Sequence, residues 1–152
     1  MRDFGKLPLR RGYWCAASVV AGCLVIAALA RAQASPSVWD GVYTAAQAKD
    51  GQTVFDSSCA ECHGEDMAGR EQAPALAGPP FTEKWNKATL KKLYETIEQM
   101  PPDHPKSLTT KQYTAVLAYV LSANEFPAGQ AALTDDRAAL ADIQMTSAPP
   151  AK

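Results

Sequence analysis

An all-α fold is what this sequence predicts, and three observations carry the prediction. Apolar side chains recur at helical spacing in separate segments, two Thr-x-x-Gln capping signatures mark helix starts at Thr44 and Thr109, and no run shows the period-two alternation of a half-buried strand. The 152-residue length suits one compact domain with processed or loosely held ends, and 47% hydrophobic residues suffice for a core. Lys+Arg 15 against Asp+Glu 16 leaves no basic excess for nucleic acid, so no nucleic-acid partner is expected.

The N-terminus reads as an export signal. Arg2, Lys6, Arg10 and Arg11 precede an uncharged stretch from Gly12 to Ala30, and Ala32-Gln33-Ala34 offers a small-x-small cleavage site. Residues 1–34 are therefore expected to be removed, leaving a periplasmic chain that starts at Ser35. Their loss takes away five basic side chains (Arg2, Lys6, Arg10, Arg11, Arg31) and one acidic one (Asp3), moving the formal charge from −1 to −5. The competing reading is an uncleaved helix over residues 12–30 that anchors the protein to the inner membrane, since that stretch is about long enough to span a bilayer. The cleavage site favours removal. Arg10-Arg11 as a twin-arginine pair and Val20-Ala21-Gly22-Cys23 as an acylation box rank lower; acylation at Cys23 would leave the apolar Leu24 to Leu29 on the mature chain.

The first helix is expected from Thr44, its N-cap, to about Ser57, with Gln47 completing a capping box. Ala48, Gly51 and Phe55 share one face. A glycine inside a helix costs about 1 kcal/mol relative to alanine, so Gly51 predicts close approach of another backbone.

Once Cys15 and Cys23 leave with the signal, Cys59 and Cys62 remain, both in Cys59-Ala60-Glu61-Cys62-His63. A disulfide between residues three apart closes too small a loop to constrain the unfolded chain much. C-x-x-C-H instead has the chemistry of c-type haem attachment: two thiols at this spacing add across the two vinyl groups of haem, and the next residue presents its imidazole to the iron. A zinc ribbon needs a second Cys or His pair, and His104 is the only other histidine. A thioredoxin-like redox pair needs βαβ surroundings, which are missing from the pattern. The motif predicts one covalent haem c on Cys59 and Cys62, with His63 as an iron ligand.

Next comes an apolar, proline- and glycine-rich loop, Ala73-Pro74-Ala75-Leu76-Ala77-Gly78-Pro79-Pro80-Phe81. It needs something to pack against, and a haem face provides that. The second helix is expected from Thr89 to about Gln99, with Leu90, Leu93, Tyr94 and Ile97 on one stripe and Lys91, Lys92, Glu95 and Glu98 facing away. Lys84, Lys87, Lys91 and Lys92 read as a solvated face rather than a basic rim. The third helix opens on the capping box Thr109-Thr110-Lys111-Gln112, buries Tyr113, Val116, Leu117, Val120 and Leu121, and stops around Asn124, before Pro127 and Gly129. From Gln130 the composition turns to Ala, Asp, Thr and Pro, so residues 130–152 read as a loosely held, flexible tail with at most a short helix at Asp135 to Ile143.

The iron's other axial position has four candidates: Met67, Met100, Met145 and His104. Met67 follows His63 too closely to reach the opposite haem face without an awkward reversal, and Met145 lies in the tail. Met100 directly follows the second helix, and Pro101-Pro102 restrict its backbone. A lone methionine ordinarily packs a core, but an open iron position favours Met100 as ligand. His104 is the fallback, against its reading as an exposed loop histidine.

These residues resemble the class I c-type cytochromes, small monohaem electron carriers, over about Gly41 to Gly129, which sets a cytochrome domain at residues 35–129. The shared elements come in the family's order: Gly51 and Phe55, Cys59-Ala60-Glu61-Cys62-His63, Pro74-x-Leu76-x-Gly78, Trp85, Met100-Pro101, and a last helix with Leu117-Ala118-Tyr119. The resemblance implies three to four helices wrapped around one haem, with first and last helices crossing at Gly51. It also implies that the Pro74 carbonyl accepts the Nδ1–H of His63 and that Trp85 donates to a haem propionate, although an ordinary core tryptophan would read the same. Asn124-Glu125-Phe126-Pro127-Ala128-Gly129 is similar to the ending of cytochromes that accompany periplasmic quinoprotein dehydrogenases.

The expected function is single-electron transfer between a dehydrogenase and a terminal acceptor or oxidase, through haem iron held by His63 and Met100, with no catalytic residues. Partners are redox proteins meeting small transient surfaces, and the mature charge of −5 favours basic ones. The rivals are an open-site haem enzyme acting on peroxide, a gas sensor or haem store, and a thiol oxidoreductase using Cys59 and Cys62. A subunit of a dehydrogenase complex would share the carrier's chemistry.

Overall fold

The computed structural model describes residues 35–71 and 73–149. The expected export segment, its cleavage site and the alternative span at 12–30 lie outside these residues, as do Pro150 to Lys152. The described residues form helices α1 (Ala45–Ser58), α2 (Ala60–His63), α3 (Pro79–Trp85), α4 (Leu90–Ile97), α5 (Thr110–Ala123) and α6 (Arg137–Asp142), with a 3₁₀ turn at Val38–Asp40. Strand-like pairing among them is limited to isolated bridges, and the fold is all-α. No helix of the described residues is long and apolar enough to cross a membrane.

Local sequence explains where the long helices begin. Thr44 Oγ1 accepts from Gln47 N at 3.1 Å, Thr89 Oγ1 from Lys92 N at 3.3 Å, and Thr109 Oγ1 from Gln112 N at 3.3 Å, each satisfying a donor that the first turn leaves open. At α5 the capping box is complete, because Thr109 N donates to Gln112 Oε1 at 2.9 Å. At α1 it is not. The Gln47 amide turns instead to Leu133, accepting from its N–H at 2.8 Å and donating to its carbonyl at 2.9 Å. One amide satisfying both backbone groups of a distant residue outcompetes a single local bond.

The core centres on the crossing of α1 and α5. A Cβ on Gly51 would run into the Ala115 carbonyl, so glycine is what lets these backbones approach. One turn on, Phe55 and Tyr119 pack edge to face with ring centroids 5.4 Å apart. Phe55, Leu117 and Leu121 are fully buried, each a contribution of about 1.5–3 kcal/mol relative to exposure.

The segment after Gly129 differs from its reading as a loose tail. Leu140 and Met145 are 0% and 1% exposed. Its backbone is stitched to distant chain by Val38 N to Gln144 O at 3.0 Å, Gln144 N to Pro36 O at 2.8 Å, Lys87 N to Met145 O at 2.7 Å and Met145 N to Ala88 O at 2.9 Å. Trp39 Nε1 donates to Thr146 O at 3.0 Å. Alanine- and proline-rich composition suggested weak packing, but four spaced apolar residues (Leu133, Leu140, Ile143, Met145) suffice to anchor a strap whose polar backbone groups find partners on the domain.

Candidate functional site

The C-x-x-C-H motif is one helical turn. Cys59 N closes α1 on Phe55 O at 2.8 Å, and the Cys59 carbonyl accepts from Cys62 N at 3.2 Å and His63 N at 3.0 Å. Residues three and four apart on a turn share a face, so Cys59, Cys62 and His63 all line the same cleft. Burial, and then the neighbouring Cys62, pushes the Cys59 thiol up to about 11.

After His63 the chain reverses. Gly69 N donates to His63 O at 2.9 Å, Arg70 and Ala73 pair in a tight turn, and Leu76 N donates to Met67 O at 2.8 Å. This return brings the Pro74 carbonyl to 2.9 Å from His63 Nδ1. A carbonyl only accepts, so Nδ1 carries a proton, and in the neutral imidazole the lone pair is therefore on Nε2. His63 itself is 8% exposed.

The apolar loop that follows is held by a residue that the sequence marks as a helix stop. Asn124, at the end of α5, donates through Nδ2 to Leu76 O at 2.8 Å and accepts from Gly78 N at 3.0 Å. No local spacing marks such a partner. The loop then enters α3, whose Phe81 and Trp85 face the cleft; Trp85 is 8% exposed, makes no side-chain hydrogen bond to another described residue, and carries Lys84 Nζ 5.7 Å from its ring centre.

α4 lines the same cleft with Leu93, Thr96 and Ile97, and hands the chain to Met100, whose N–H donates to Ile97 O at 3.0 Å. The Tyr113 hydroxyl, read from sequence as core stripe, reaches the Met100 carbonyl at 3.3 Å. Met100, Pro101 and Pro102 line the cleft with His63. Met67 and Met145 are 2% and 1% exposed within the core and do not line it. His104 points to solvent beside Asp103, 3.0 Å away.

The cleft is lined mainly by Phe55, Leu76, Phe81, Leu93, Val116 and Val120, an apolar wall with a few convergent polar groups, as cofactor sites have. Paired thiols on one edge, a buried imidazole with Nε2 free and a thioether on the same cleft match what a covalently held haem requires. The residues fit the group.

Residues 46–120 match the family described as Cytochrome C oxidase, cbb3-type, subunit III. Over 82 residues the chain is 32% identical to Cytochrome c-551 of Bacillus subtilis (strain 168), an overlap of 54% of this chain and 68% of that one. A solved structure, the Sulfane Dehydrogenase SoxCD from Paracoccus pantotrophus, is similar with a TM-score of 0.44 at 20% identity, covering 75% of this chain and 62% of that chain.

Proposed function

Because the chain belongs to the class I c-type cytochromes, carriers of covalent haem c that work by electron transfer, we propose that it is an exported monohaem carrier with iron held between His63 and Met100. The observation that carries this reading is that His63, oriented by Pro74, and Met100, delivered by α4, line one apolar cleft. When bound, haem c supplies a one-electron ferric/ferrous couple.

Each residue has a task in this reading. Cys59 and Cys62 would hold the haem covalently, each thiol adding its S–H across one vinyl group, with sulfur on one carbon and hydrogen on the other. His63 presents Nε2, with its ring orientation and basicity set by the Nδ1–H to Pro74 bond. Met100 presents a thioether, which favours ferrous iron relative to a second histidine and raises the potential. Phe55, Phe81, Leu93, Val116 and Val120 exclude water from the cleft. Trp85, which lines the cleft, would be the donor to a haem propionate.

The proposed domains are an export segment at 1–34, a cytochrome domain at 35–129 and a packed strap after it. The proposed location is the periplasm. Partners in this reading are a dehydrogenase donor and an oxidase or cytochrome acceptor, bound transiently and favoured when basic, given the charge of −5 after Ser35 becomes the N-terminus. The test is a visible spectrum of the periplasmically produced protein, oxidised and reduced, with and without carbon monoxide. A low-spin ferrous spectrum unmoved by carbon monoxide, with a ferric sulfur-to-iron band that Met100→Ala erases, is expected; a high-spin, carbon-monoxide-reactive resting state would overturn it.

A further inference from the structure

The strap after Gly129 lies beyond residues 46–120, which carry the family match, and supplies no side chain to the cleft. It grips both ends of the helix that delivers Met100. At the N-terminus of α4, the open donor Leu90 N gives its hydrogen to Ile143 O at 2.9 Å. At the C-terminus, Arg137 Nη2 donates to both carboxylate oxygens of Glu98 at 3.0 and 2.8 Å, and Nη1 lies 3.5 Å from Glu95. The guanidinium also lies 5.4 Å from the centre of the Tyr94 ring, and the fully buried Leu140 anchors α6 beneath it. The carbonyl of Glu98 accepts from Lys106 N at 2.9 Å, which closes the loop carrying Met100.

We propose that Arg137 is a positioning residue for Met100: by clamping Glu98 it holds the last turn of α4, two residues before the thioether, in register with the cleft. The inference rests on reading Met100 as the axial ligand. One guanidinium nitrogen spans both oxygens of Glu98 while the other lies toward Glu95, so the planar group is oriented against two carboxylates of α4's last turn, whereas a lysine is a point charge. The Arg137 side chain is 46% exposed and the Glu98 side chain 12%, and an ion pair reached by solvent from one side contributes modestly to global stability. Its effect appears where a small displacement matters, at a sulfur that must meet a metal.

The experiment uses the full-length haem-loaded protein and its Arg137→Ala, Arg137→Lys, Gln47→Ala and Met100→Ala variants, read by the ferric sulfur-to-iron band and by carbon monoxide uptake of the ferrous protein, alongside thermal melting. Arg137→Ala is expected to weaken the band and raise carbon monoxide uptake several-fold, and Arg137→Lys to recover part of the loss. Gln47→Ala, which frees the strap at Leu133 only, is expected to keep native spectra. Native spectra in Arg137→Ala, whatever its melting temperature, overturn the proposal; so does an equal change in Gln47→Ala, which would mean general loosening. If Met100→Ala keeps the band, the axial-ligand reading fails and this inference with it. If Met100→Ala loses it and Arg137→Ala does not, the inference alone fails.

Discussion

The Nδ1 atom of His63 stands 2.9 Å from the carbonyl oxygen of Pro74, and the loop between them is folded back by Gly69 at φ +82. A methyl group at Gly69 would lie 2.6 Å from Ala73 O and 2.7 Å from Ala75 N, backbone that carries Pro74. Gly69→Ala is therefore expected to cost about 1–2 kcal/mol in left-handed strain and to displace the carbonyl. The midpoint potential of the holoprotein should rise, since a less basic imidazole stabilises ferric iron less. Voltammetry checks this; an unchanged potential would separate the contact from redox tuning.

Gly51→Ala sets two effects against each other. Helix propensity favours alanine by about 1 kcal/mol, but the new Cβ collides with the Ala115 backbone, which has no rotamer by which to yield. Overpacking of this kind costs about 1–3 kcal/mol. Net destabilisation is expected, seen as a lower urea midpoint at unchanged slope.

Asn124→Ala removes the partners of Leu76 O and Gly78 N together. Orphaned groups cost about 1–3 kcal/mol when they stay buried. The loop should open locally, so the Gly78 amide exchanges faster with deuterium while amides in the middle of α1 do not. Uniform acceleration would instead report global destabilisation.

Tyr94 is 1% exposed, and among the described residues its hydroxyl has no hydrogen-bond partner. Burial, then the nearby Glu98, raises its pKa above the ordinary 10.0. The unfolded chain ionises first, so stability is intact below pH 10 and declines as the pH climbs through the folded pKa. Tyr94→Phe should melt at the same temperature or higher at pH 7, by about 1 kcal/mol of relieved desolvation, and should lose less stability in the alkaline limb. A lower melting temperature at pH 7 would mean that the hydroxyl has a partner.

Legibility in the sequence followed chain distance. Thr44 and Thr109 were readable as caps because an N-cap needs a partner only two or three residues ahead, whereas Thr89, read as the start of the second helix, proved to be its cap. Cys59, Cys62 and His63 share a face because one turn covers them. Gly51 was readable because its cost in a helix demands a reason. Gln47 misled because its local partner lost to Leu133, 86 residues away. Asn124 and Tyr113 looked like a helix stop and a core aromatic, since nothing within a few residues of either names the loop it holds.

The residues alone therefore determined the helical class, the attachment turn and the apolar loop that follows it, all consequences of spacing and short-range hydrogen bonding. Tertiary structure decided which of Met67, Met100, Met145 and His104 shares a cleft with His63, and turned an alanine- and proline-rich ending into a strap clamped on Glu98. Burial and long-range hydrogen bonds are won in competition among groups far apart in the chain, and the outcome is set by which groups the packed helices leave within reach.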